Sequence, residues 1–223
     1  MKKKKAFTLA EVLIVLAIIG VVAALTMPML MNNYQKTQQV VALKKVYSQI
    51  SDAIDRVMID SDSEKFTEVT ILNGDDADPK AFLKQYFRVS KYCELKDFAK
   101  CFPEVTSIDK GSTGNPAYGN MTCIIAKDGA SICVRPSGGT LGYGSAPAMF
   151  VVDTNGPNKP NVAGRDVFTF SVYWDGSVDE IDPNQREANG ATARSGRIDQ
   201  CEVNMYGAGC LSKIIDDGWK MDY

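Results

Sequence analysis

From Phe7 to Met31 the chain carries one formal charge, Glu11, in an otherwise uncharged and mostly apolar run. Wound as a helix at ~1.5 Å per residue, those ~25 residues reach roughly 37 Å, enough to cross a hydrocarbon core of ~30 Å. The stretch therefore spans or enters a membrane. A secretory signal peptide would have a shorter apolar core and a small-residue cleavage site, and Ala23 and Ala24 offer only a weak one. Lys2 to Lys5 precede the run. Basic flanks stay in the cytoplasm, which sends the carboxy-terminal side across the membrane. An ionised carboxylate in such a helix costs about 2.5 to 3.5 kcal/mol at the bilayer centre and less near the interface, so Glu11 calls for a partner.

The rest of the 223-residue chain is long enough for one globular domain of ordinary size. It contains no histidine, which removes the commonest general base and the usual zinc ligand, along with every Ser-His or Cys-His pair. Net charge is −2; without Lys2 to Lys5, Lys plus Arg falls from 25 to 21 against 27 Asp plus Glu, giving −6. An acidic balance argues against a nucleic-acid surface. Six cysteines, Cys93, Cys101, Cys123, Cys133, Cys201 and Cys210, form three sequence-local pairs with intervals of 8, 10 and 9. None has the Cys-x-x-Cys spacing of a metal knuckle or redox motif, so structural disulfides are expected, with local pairing the simplest connectivity. Disulfides place this domain outside the cytoplasm, in agreement with the lysines.

Beyond the membrane run, Leu43, Val46, Tyr47, Ile50, Ile54 and Val57 recur at three- and four-residue steps, while Lys44, Lys45, Asp52 and Arg56 fall between them. This is an amphipathic continuation of the helix over 32–60. Pro28 removes a backbone donor and clashes with the preceding turn. A kink or locally loosened helix near Ala24 to Pro28 is expected, with a simple bend as the plainer alternative. The helix is expected to stop near Asp60, where Asp60-Ser61-Asp62-Ser63 competes for backbone hydrogen bonds. Asp78 and Pro79 open a second helix running to about Arg88. Met121 to Val134 reads as a hairpin whose Lys127-Asp128-Gly129 loop sets Cys123 opposite Cys133.

The glycine-rich stretch from Pro136 to Pro147 lacks the Gly-Lys-Ser/Thr ending of a phosphate cradle and reads as a surface loop. Strands flank a polar loop between Phe150 and Phe170, and a second hairpin turns at Asp175-Gly176. Asn184 to Arg197 is polar and aperiodic, an excursion. Leu211 to Asp217 reads as a short helix ended by Gly218. Adjacent acids, Asp179 with Glu180 and Asp216 with Asp217, would be needed by a hydrolase, but such pairs are usually solvated.

The sequence Ala6-Phe7-Thr8-Leu9-Ala10-Glu11 followed by an apolar helix resembles the amino-terminus of the type IV prepilins and type II secretion pseudopilins. The resemblance covers about 30 residues, and Gly20 and Pro28 fall where pilin helices commonly carry glycine and proline. It implies a leader, residues 1–6, removed by prepilin peptidase between Ala6 and Phe7. Phe7 would then be N-methylated, and Glu11 would be the glutamate needed for assembly. Most members have glycine where this chain has Ala6.

The implied fold is α+β: a long bent amino-terminal helix, its membrane half at 7–31 and amphipathic half at 32–60, packed on an antiparallel sheet in a pilin-like, disulfide-stapled domain over 61–223. The implied partners are copies of the chain or other pilin-like subunits, the peptidase, an assembly platform in the inner membrane, and the membrane itself. Some pseudopilins bind calcium, for which Asp153, Asn155, Asn161 and Asp166 could supply oxygens; the plainer reading gives these residues to the turns. A rival from another class is a membrane-tethered extracytoplasmic binding protein whose anchor is never cleaved.

Overall fold

The computed structural model of the chain describes residues 8–74, 76–94, 98–111, 113–114, 121–136, 146–180, 198–202 and 207–223. Ala6 and Phe7, most of the glycine-rich stretch and the 184–197 excursion lie outside them. The chain divides into two units, residues 1–38 and 39–223.

Helix α1, Leu9–Asp60, supplies the described part of the first unit and opens the second. Its backbone stays helical through Pro28, so the local loosening considered for Ala24 to Pro28 is not present. Pro28 lacks an N–H, which leaves the Ala24 carbonyl without its helical donor; nearby, the Thr26 hydroxyl donates to the Val22 carbonyl at 3.0 Å. Gly20 lies within the same uninterrupted helix, with open space where a Cβ would stand.

In the second unit, α1 behaves as its periodicity dictates. Val40, Leu43, Val46, Ile50, Ala53, Ile54 and Val57 are buried, and Tyr47 is half-buried against them. The helix ends at Asp60, as the polar run predicts. After two short 3-10 turns, Phe66–Glu68 and Thr70–Leu72, helix α2 spans Pro79–Tyr86. The Asp78 carboxylate caps it by accepting from the Ala81 N–H at 2.9 Å. It stops two residues short of Arg88.

Next come β1 (Val89–Cys93), α3 (Phe98–Cys101), β2 (Val105–Thr106), β3 (Thr113–Gly114), β4 (Thr122–Ala126) and β5 (Ser131–Pro136). They are followed by β6 (Ala148–Asp153), β7 (Val167–Val172), β8 (Val178–Asp179) and α4 (Cys210–Asp216). Six strands form one antiparallel sheet in the order β1-β4-β5-β6-β7-β8, and β2 pairs with β3 separately.

Successive side chains of a strand point to opposite faces, and both faces of this sheet are covered. Ile124, Ile132, Val134, Phe150, Val152, Phe168 and Phe170 join the buried face of α1. Cys123, Cys133, Val151 and Val167 alternate with them and face a smaller core containing Phe102 and Val105. The helix-on-sheet expectation foresees the first layer; the second is built from short segments with no period of their own.

All three disulfides follow the local pairing: Cys93–Cys101, Cys123–Cys133 and Cys201–Cys210. Cys123 and Cys133 stand directly opposite in the β4–β5 register, with Cα atoms 4.0 Å apart, as the hairpin loop predicts. The β7–β8 hairpin closes with the Tyr173 N–H donating to Ser177 at 2.9 Å.

Candidate functional sites

Two places hold the residues singled out in the sequence. At the start of α1, Thr8 and Glu11 are locked to each other. The Thr8 N–H and hydroxyl both donate to Glu11 Oε2, at 2.9 and 2.8 Å, and the Glu11 N–H donates to the Thr8 hydroxyl at 3.2 Å. This is a capping box, in which a threonine and the glutamate three positions on satisfy orphan donors of the first helical turn. The carboxylate also sits where the positive end of the helix dipole favours an anion. Sequence reasoning assigned Glu11 a need for a partner without finding Thr8. The signal was available, since Thr-x-x-Glu ahead of an apolar run is the signature of such a box.

Above this cap the helix is apolar and uncovered. Its Leu9–Asp60 span contains a stretch long and apolar enough to cross a membrane, with none of that stretch buried. Comparison with known families matches residues 1–27 to the prokaryotic N-terminal methylation motif. The chain carries the type IV pilin and pseudopilin signal. That signal marks a pilin-like substrate of prepilin peptidase, and an exposed apolar helix fits membrane anchoring. No curated protein and no solved structure matches the chain.

The second place is the loop between β6 and β7. Asp153 ends β6 and Asp166 immediately precedes β7, and both are buried, at 0% and 1% exposure. Asn155 bridges them: its N–H donates to Asp153 Oδ1 at 3.2 Å, and its side-chain nitrogen donates to Asp166 Oδ2 at 3.3 Å and to the Pro160 carbonyl at 3.2 Å. The Val162 N–H donates to Asp166 Oδ1 at 2.6 Å. Burial pushes Asp153 up to about 8, helped by the neighbouring charge of Asp166, and burial likewise pushes Asp166 up to about 7. Among the described residues, no lysine or arginine pairs with either.

Gly156, at φ 67°, lets this loop lie directly on the Gly129 carbonyl of the β4–β5 turn, where any Cβ would clash.

The residues present fit a hard cation. Two buried carboxylates lack a counter-charge, and Asn155 Oδ1 is buried without a partner. Asn161 lies beside this group: with its amide turned so that both ends are satisfied, its nitrogen donates to the carbonyls of Asn158 and Pro160 at 2.8 and 3.2 Å, and Asn155 donates to the same Pro160 carbonyl. Among the described residues, no three acid, histidine or cysteine side chains gather as a metal cluster, so a cation here would need amide and backbone oxygens as well.

The adjacent acids have structural employment. Glu180 is buried and accepts from the Gly209 N–H and, at 3.3 Å, from the Ser212 N–H, capping α4; Asp179 accepts from the Glu180 N–H at 2.7 Å. Asp217 pairs with Lys213 at 3.5 Å, one turn away. Glu180 is thus a tether between sheet and tail, which its sequence neighbourhood did not reveal.

Proposed function

We propose that this protein is a structural subunit, pilin or pseudopilin, of a type II secretion pseudopilus or type IV pilus. The observation that carries the reading is the Thr8–Glu11 cap at the head of an uncovered apolar helix within the methylation motif. On this reading, residues 1–6 are removed between Ala6 and Phe7, and the new amino group of Phe7 is methylated but still basic. The apolar helix holds the precursor in the inner membrane with its amino-terminus cytoplasmic. It then packs among copies of itself or other pilin-like helices, with the globular unit outside.

Glu11 supplies register. Burying either charge alone in an apolar filament core is costly, so the carboxylate selects the position at which a neighbouring Phe7 amine meets it. Thr8 holds that carboxylate at the helix start meanwhile. Glu11→Ala is expected to insert into the membrane as the parent does and to be absent from filaments, read by fractionation and by immunodetection of sheared fibres. Normal incorporation of the variant would refute the role. Mass spectrometry should find a mature chain beginning at methylated Phe7; an intact Met1 or a cut after Ala24 would favour the tethered binding protein.

We also propose that the β6–β7 loop holds calcium through Asp153, Asp166 and Asn155 with backbone carbonyls, and that the ion neutralises the two acids. Calorimetric titration of the globular unit should give binding heat with a rise in melting temperature. Silence at millimolar calcium would remove the site.

A further inference from the structure

The two flanks of α1 in the globular unit differ in charge. On one lies a groove of about 430 Å³ lined by Lys45, Arg56, Arg88 and Lys127 against Asp52 and Asp128. Asp128 is already answered within the chain, by Lys45 at 3.0 Å and by the Gln49 amide at 2.8 Å. Burial pushes its carboxyl upward, but the Gln49 and Lys45 hydrogen bonds outweigh this and hold it below the usual range. Among the described residues, Arg56, Arg88 and Lys127 make no ion pair and all are exposed. This basic surplus sits on a chain in which acids outnumber bases, 27 to 25.

On the other flank, a hollow of about 590 Å³ is lined by Asp55, Asp62, Glu64 and Asp175, with Met58 and Ile59 between them and no basic side chain among its described lining. At roughly 100° of rotation per residue, Lys45, Gln49 and Arg56 lie to one side of the buried stripe and Asp55 to the other, with Ile59 on the face opposite the stripe. Along the axis the helical residues of the two linings are centred about six to seven residues apart, roughly 10 Å.

We propose that these flanks are the two halves of a head-to-tail contact between copies of this chain, the basic groove of one subunit receiving the acidic hollow of the next. The proposal rests on the filament-subunit reading and names the surface by which the globular units engage. A two-fold dimer through either patch would set like charges together. A heterologous contact joins unlike ones and leaves a free half at each end, so it propagates. A neighbour shifted by about 10 Å along α1 aligns the patches. Apolar Met58 and Ile59 inside the acidic hollow, and Tyr86 and Phe87 beside the basic groove, give the contact more than exposed ion pairs alone supply.

The test uses the full chain assembled in its native cells, moved from light- to heavy-nitrogen medium before filament assembly is induced, so that wholly light and wholly heavy subunits mix in the membrane. Filaments are treated with a carbodiimide, which joins a carboxylate to an amine with no spacer. Mixed-isotope peptide pairs should link Lys127 or Lys45 to Asp55, Asp62 or Glu64, whereas any Lys45–Asp128 link should be of one isotope. Reversing the groove with Arg56→Glu and Arg88→Glu should lower filament yield about tenfold or more, and adding Asp62→Arg and Glu64→Arg in the same chain should restore it. These side chains are exposed, and circular dichroism of each variant checks the fold. Filaments without mixed-isotope links, links to another protein's carboxylates, or a groove-reversed variant assembling at the parental level would each overturn the docking while leaving the filament reading intact. A chain that retains Met1 and forms no filaments would overturn both.

Discussion

At the scale of single residues, the acids divide by what answers them. Glu180 is buried but engaged by two backbone donors, and Glu11 is engaged by Thr8. Asp153 and Asp166 are buried beside each other with only partial answers, and both titrate high, near 8 and 7. A carboxyl whose folded pKa lies above its unfolded value binds its proton more tightly in the native state. Its contribution is therefore full below about pH 4 and is lost as pH rises through the folded value. Without calcium, this pair should cost the protein stability between about pH 4 and pH 8.

Asp153→Asn keeps an acceptor for the Asn155 N–H and removes the ionisation. It should melt close to the parent at pH 4 and be more stable by on the order of 5 kcal/mol at pH 8.5 in a chelator. A variant less stable than the parent at both pH values, in thermal melts, would show that the pair is not strained by ionisation. The residues were visible in the sequence as oxygen donors; their burial was not. It comes from the register of Asp153 opposite Val167, and that pairing is set by strands rather than by the loop.

At the scale of elements, local pattern and tertiary context part company. The second half of α1 was legible because seven buried residues repeat at helical spacing, and the β4–β5 hairpin because a glycine-ended loop and two cysteines agree on one register. Strand β1 was not legible. Val89-Ser-Lys-Tyr-Cys93 has little apolar alternation, lies at the sheet edge and is extended because it pairs with β4, the Lys127 N–H also donating to the Arg88 carbonyl at 2.8 Å. Propensity carries little weight at such an edge.

The same contrast predicts mutational cost. Ile50 is fully buried on α1, whereas Val41 on the same helix is 57% exposed. Ile50→Ala should cost about 2 to 5 kcal/mol, by lost transfer and a residual cavity. Val41→Ala should change stability by less than about 0.5 kcal/mol. Urea midpoints at constant slope would measure both, and comparable losses at the two positions would contradict the packing described for this helix.

At the scale of the molecule, the chain joins two segments with different solvents. No described residue before Val40 is buried, and Leu9 and Leu25 are 81% and 75% exposed. An uncovered apolar helix of that length is costly in water and fits membrane anchoring; on the proposed reading lipid, and later other subunits, cover it. The globular unit needs none of it: its cores, both faces of its sheet and its three disulfides lie wholly within 39–223. A fragment beginning at Gln39 and oxidised during secretion should therefore fold, remain soluble and monomeric at micromolar concentration, and show no free thiols, while the full chain requires detergent. The monomer is expected even though the fragment keeps the basic groove and the acidic hollow, because exposed charge contacts are weak singly and hold only when membrane helices align many copies. Size-exclusion chromatography with thiol titration reads this directly. A fragment that aggregates with its disulfides formed would mean that residues 1–38 cover part of the globular unit's surface, and the division of labour between anchor and domain would have to be redrawn.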